Sequence, residues 1–220
     1  MVKSKNIIAG LGVVAGLGMA LLPLGAFAAD SNTVNHTVRG VVGDIISITV
    51  ATDKEATLKD GSKISRVDLE PGKVNQTLTH TVTVNTNARG GYDLKMNAKD
   101  GKNALRYITE YDTTNDDVAT NWSDSIVIPS VTSDTALADG GTAGWGYKIK
   151  ASTDQDYSGD FKQIPVNATS IKNFPATSAA SKTGSWTDTY NVNFGILPAG
   201  DQLSGAYEAT LVYQAVTNAL

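Results

Sequence analysis

Alternation decides the fold class of this chain. Leu78, His80, Val82 and Val84 interleave with Thr79, Thr81 and Thr83, and Tyr92, Leu94 and Met96 interleave with Asp93, Lys95 and Asn97. A period of two puts one set of side chains on a buried face and the other in water, which only a strand can do. The pattern recurs at Val34–Val38, Ile46–Val50, Trp145–Ile149, Tyr190–Ile196 and Tyr207–Ala215, with a short Ile126–Ile128 strand closed by Pro129. Gly, Asn, Asp and Pro punctuate the runs, and no amphipathic helix of useful length follows residue 30. About ten short strands predict an all-β fold, an antiparallel β-sandwich over residues 29–220; periodicity alone does not separate sandwich from barrel.

Local signals add detail. Gly90-Gly91 between the two cleanest strands predicts a hairpin joining 78–84 to 92–96. Pro165 between Ile164 and Val166 predicts a sheet edge or bulge. Residues 167–186, rich in Ser, Thr, Ala and Lys, read as a long exposed loop.

The first 28 residues have a different logic. Lys3 and Lys5 precede an apolar run from Ile7 to Leu24, Pro23 and Gly25 break it, and Ala26-Phe27-Ala28 offers small residues at both positions a signal peptidase reads. This is the layout of a secretory signal peptide cleaved after Ala28. The alternative for the same run is a retained membrane anchor. The expected location is secreted, at the extracellular cell surface.

Charge and cysteine usage narrow the partners. Without Lys3 and Lys5, 16 basic residues face 22 acidic ones, a net charge of −6. Such a surface repels phosphate backbones, so nucleic acid is not an expected partner. With no Cys in the chain, neither disulfides nor thiol chemistry are available, and stability rests on the core.

Two segments carry a likeness. Val82-Thr-Val-Asn-Thr-Asn-Ala-Arg-Gly-Gly-Tyr-Asp-Leu94 and Ile196-Leu-Pro-Ala-Gly-Asp-Gln-Leu-Ser-Gly-Ala-Tyr-Glu-Ala-Thr-Leu-Val-Tyr213 resemble the signature region and closing hairpin of WxL-type bacterial cell-surface domains. Tyr92 and Tyr213 stand where that family has Trp. The resemblance implies a β-sandwich held non-covalently at the cell wall.

Chemistry-bearing residues are few. His36 and His80 both occupy apolar positions of the alternation, which favours a packing role, and Glu55, Glu70, Glu110 and Glu208 lie in no distinctive motif. No Gly-x-Ser-x-Gly elbow or His-Glu-x-x-His helix is present. Asp154, Asp156, Ser158 and Asp160 copy the first half of a calcium loop, but position twelve is Pro165 in place of the bidentate Glu. Of the three tryptophans, Trp145 alternates with Tyr147 and Ile149 and reads as core. Trp122 and Trp186 stand among Asn, Ser, Thr and Asp, and are the candidate ligand-binding aromatics.

The expected function is therefore non-enzymatic: a surface-associated binding or structural protein of the bacterial envelope, partnered by a wall polymer or another surface protein. The alternative is a fibre or surface-layer subunit, with residues 31–39 completing a neighbour's sheet by strand exchange. A secreted enzyme is the weakest of the three readings.

Overall fold

The computed structural model describes residues 31–34, 37–42, 44–57, 63–109 and 121–219. His36, Glu110 and residues 1–28, the expected signal peptide, lie outside the described residues. The strands, in chain order, are β1 (Ser31–Val34), β2 (Thr37–Val42), β3 (Asp44–Thr52), β4 (Glu55–Thr57), β5 (Lys63–Ser65), β6 (Asn75–Thr86), β7 (Gly91–Ala98), β8 (Leu105–Ile108), β9 (Trp122–Ile128), β10 (Gly144–Ala151), β11 (Thr169–Pro175), β12 (Trp186–Leu197), β13 (Tyr207–Glu208) and β14 (Leu211–Thr217). One short helix, α1 (Ala176–Ala179), follows β11. Among the described residues no helix is long and apolar enough to cross a membrane.

The fold is all-β and sandwich-like. A four-stranded sheet ordered β1-β14-β7-β11 and a five-stranded sheet ordered β10-β12-β6-β3-β2 are both antiparallel. A three-stranded sheet β13-β8-β9 and the β4–β5 hairpin complete it. The alternating residues form the filling between the large sheets. Tyr92, Leu94, Met96, Tyr213 and Ala215 come from the smaller sheet; Ile46, Ile48, Val82, Val84, Trp145, Tyr190, Val192 and Phe194 come from the larger. All are buried, so the period-two reading of which side chains enter the core holds.

Strand partners differ from the sequence expectation. β6 and β7 do not form a hairpin. β6 pairs with β3 and β12, whereas β7 pairs with β11 and β14, so Gly90-Gly91 carries the chain from one sheet to the other. The glycines are needed for a corner rather than a tight hairpin. Gly91 has φ +78, and a Cβ there would lie 1.9 Å from the Phe174 carbonyl oxygen. Likewise, β12 and β14, expected as a closing hairpin, belong to opposite sheets.

Residues 167–186 are not simply a loop. They contain β11 and α1, and β11 forms the edge of the smaller sheet beside β7. Only Ile171 and Phe174 of β11 turn toward the core, so its composition imitates a loop. Around Pro165 no strand forms; Ile164 is nevertheless fully buried, and the Pro165 carbonyl accepts the Ala98 amide at 2.8 Å. The run Tyr207–Ala215 is broken at Ala209-Thr210 into β13 and β14, which serve different sheets.

Gly146 and Gly195 face each other across β10 and β12, and together they make the seat for the Phe161 ring. From that seat, Lys162 bridges to Tyr147 and covers the outer edge of β10. The edge is thereby withheld from other chains.

Candidate functional site

Hydrogen bonding separates the two candidate tryptophans. Trp186 opens β12 and is half-buried; its Nε1 donates to Asp188 Oδ2 at 3.1 Å. The same carboxylate oxygen accepts the Tyr92 hydroxyl at 2.9 Å, and the Tyr92 and Tyr190 hydroxyls are 2.7 Å apart. Phe174 stacks on Tyr92 at 5.5 Å with ring planes 6° apart, and leans on Trp186 at 6.2 Å. This cluster ties β7 and β11 of one sheet to β12 of the other. Burial pushes the Tyr92 and Tyr190 phenols up, because an ionised phenol would lose its water; for Tyr92 the neighbouring Tyr190 and Asp188 act in the same direction.

Trp122 is placed differently. It opens β9 with 36% of its surface exposed. Between β8 and β9 the register jumps: Arg106 is opposite Val127, while Tyr107 is opposite Ser123. The extra residues, 124–126, bulge out of β9. Ser123 Oγ accepts the Ser125 and Ile126 amides at 3.2 and 3.1 Å and so holds the bulge in shape. This geometry brings the Arg106 guanidinium over the Trp122 ring, 5.1 Å from its centre. It also brings Asp124 within reach of two cations, Lys102 at 2.9 Å and Arg106 at 3.5 Å. Both hold the Asp124 carboxyl below the usual range, Lys102 most strongly.

On the other side of β8, Arg106 pairs in register with Glu208 of β13. Desolvation raises the Glu208 carboxyl, and Arg106 opposes that rise only partly. The result is a cleft of about 110 Å³ lined by Lys99, Asp100, Lys102, Arg106, Trp122 and Glu208, with Ala209 and Thr210 behind. Asp100 turns its corner with φ 56, a left-handed conformation that Asp tolerates better than most side chains. Arg106 is poorly satisfied there: its Nε is closed off from solvent with no hydrogen-bond partner, and its one ion pair is long. A larger open depression of about 360 Å³ beside the β4–β5 hairpin is lined by Asp53, Lys54, Glu55, Ala56, Arg66, Val67 and Asp68, without an aromatic.

The proposed calcium residues Asp154, Asp156, Ser158 and Asp160 lie on an exposed turn after β10. There the Lys150 ammonium takes the Asp154 and Gln155 carbonyls at 2.8 and 2.9 Å, and Asp154 Oδ2 accepts the Ala151 amide at 3.3 Å. The lysine thus ties up two main-chain oxygens of the turn, not its side-chain oxygens. Among the described residues no three His, Cys, Asp or Glu side chains gather as a metal site.

Tyr213 and His80 are structural neighbours in the core. The Tyr213 hydroxyl and His80 Nδ1 are 3.0 Å apart, and His80 Nε2 is 2.9 Å from Ser65 Oγ. Arg106, Lys102, Asp124 and Glu208 were not legible as site residues, because the bulge that gathers them leaves no periodic trace. No family model, curated protein or solved structure matches the chain.

Proposed function

We propose that the chain is a secreted, non-enzymatic binding protein of the bacterial envelope, held at the cell surface by non-covalent contacts to a wall polymer or a surface protein. The observation that carries this reading is the Trp122 cleft: a partly exposed indole stacked with an incompletely satisfied arginine, on a bulge that the backbone fixes. Aromatic and arginine side chains in such settings supply most of the binding energy of small interfaces. Trp186, by contrast, has its indole N–H engaged inside the protein, so the reading rests on Trp122. The signal-like residues 1–28 supply export.

The test is fractionation of cells expressing the full chain. Wild-type protein should stay with the cells and leave on salt wash or wall digestion, not with chelator. Trp122→Ser should appear in the medium with an unchanged circular dichroism spectrum. Equal retention of wild type and Trp122→Ser would refute the reading.

The fibre or layer alternative has one observation in its favour. β1 and β2 are the terminal strands of the two large sheets, and one short segment supplies both. A neighbour's copy of that segment could replace it. Asn32 and Ala215 are paired in register, so Asn32→Cys with Ala215→Cys reports the exchange in this cysteine-free chain. Oxidised monomers indicate a closed fold; a ladder of linked chains indicates strand exchange.

A further inference from the structure

We infer that the Trp122 cleft takes a single uncharged, hydroxyl-rich sugar ring, a chemical class that deepens the binding reading above and rests on it.

Charge balance is the first argument. Three cations (Lys99, Lys102 and Arg106) and two carboxylates (Asp100 and Glu208) line the cleft, and a third carboxylate, Asp124, pairs with Lys102 and Arg106 from outside the lining. An anionic ligand would meet the carboxylates and a cationic one the lysines and arginine. An anion would also stand beside Glu208, whose ionised form burial already disfavours. A hydroxyl avoids both penalties, since each one donates once and accepts twice. It can accept from a guanidinium or ammonium and donate to a carboxylate in the same place.

Arg106 is the second argument. Its side chain is 23% exposed, is held by the indole and flanking carboxylates, and makes no close hydrogen bond. Its Nε is closed off, so the donors left for a ligand are those of the terminal Nη atoms, whose ion pair to Asp124 spans 3.5 Å. A ring bearing adjacent hydroxyls supplies acceptors at the spacing of a guanidinium fork.

Shape is the third argument. The cleft is small, about 110 Å³, so at most one ring enters it, with any further units left outside along the exposed edge of Trp122. The apolar face of a sugar can lie against that indole while its hydroxyls reach inward. A peptide from a partner protein would instead need an extended groove, which so small a cleft does not offer.

The experiment uses the full exported chain against an array of neutral, uronic-acid and sialic-acid oligosaccharides, followed by calorimetric titration of the strongest neutral glycan. Binding to neutral glycans alone is expected. Trp122→Ala should weaken it by at least about thirtyfold, and Arg106→Lys, which keeps the charge but loses the planar donors, should weaken it measurably. Trp122→Phe, which retains a ring, should recover most of the Trp122→Ala loss, and Trp186→Phe should bind as wild type. Absence of any glycan binding, preference for acidic glycans, or equal affinity of wild type and Trp122→Ala would overturn the assignment. Retention on cells is scored separately. If Trp122→Ala leaves the cell surface while no glycan binds, surface attachment through the cleft stands and the sugar assignment falls. If glycan binding depends on Trp122 but retention does not, the sugar assignment stands and the attachment reading falls.

Discussion

Replacing Tyr92 by Phe removes one oxygen from the centre of the core and nothing else. The ring stays stacked on Phe174, so the packing contribution is retained. What is lost is a hydroxyl, fully buried, that lies 2.9 Å from Asp188 and 2.7 Å from the Tyr190 hydroxyl. A hydrogen bond to a charged group is worth about 1.5–3 kcal/mol, and the abandoned Tyr190 hydroxyl adds a desolvation cost. We expect Tyr92→Phe to cost about 2–3 kcal/mol in total. For a domain of this size that is a fall of roughly 4–12 °C in Tm. Tyr190→Phe gives up only a bond between neutral hydroxyls and should cost about 0.5–1.5 kcal/mol. The double variant should cost less than the sum, because both changes remove the same hydroxyl pair. Urea titration followed by circular dichroism measures all three. A Tyr92→Phe protein within ~0.5 kcal/mol of wild type, or a Tyr190→Phe protein less stable than Tyr92→Phe, would show that the Asp188 network does not tie the sheets together.

Alkali should unfold the protein cooperatively. Tyr92, Tyr147, Tyr157, Tyr190 and Tyr213 all have raised phenols, burial being the leading cause in each. A group with a raised folded pKa contributes stability that is complete below its unfolded value, near pH 10 for Tyr, and fades as pH rises above it. Unfolding midpoints should therefore be flat near neutrality and drop above about pH 10; a flat profile to pH 12 would contradict the burial of these phenols. Gly195→Ala should destabilise by about 1–3 kcal/mol, because the new Cβ would stand 2.5 Å from the Phe161 ring and 2.9 Å from Leu137. Gly200→Ala, with nothing near its Cβ, is the matched control and should stay within about 0.5 kcal/mol in the same urea titration. N-terminal sequencing of exported protein should begin at Ala29; recovery of residues 1–28 in the membrane fraction would make the chain an anchored one.

Side-chain direction was legible in the sequence, and strand partnership was not. Val82, Val84, Leu94, Met96, Val192 and Phe194 all enter the core as their alternation requires. Alternation fixes a face, however, and says nothing about which strand lies alongside. Gly90-Gly91 offers the same freedom of φ to a hairpin and to a corner between sheets, so the corner was missed. β11 was missed because an edge strand covered on one side needs only Ile171 and Phe174 as apolar residues. The site shows the same division. Trp122 stood out through its polar surroundings, whereas Arg106 reaches it through a register jump that depends on Ser123 hydrogen bonds to Ser125 and Ile126. Such a jump is a property of two strands together.

The place of β14 has a consequence for the order of assembly. Although it is the last strand along the chain, it is an inner one, with β1 on one flank and β7 on the other. The smaller sheet therefore lacks its central span until residues 211–217 have been synthesised. Strands that depend on distant partners also fold slowly, since the intervening chain must first be closed into a loop. For a chain exported as proposed, both effects work as a timer. A chain still being threaded through a narrow pore has not yet delivered the segment that would lock it, and it remains pliable until the whole length has passed.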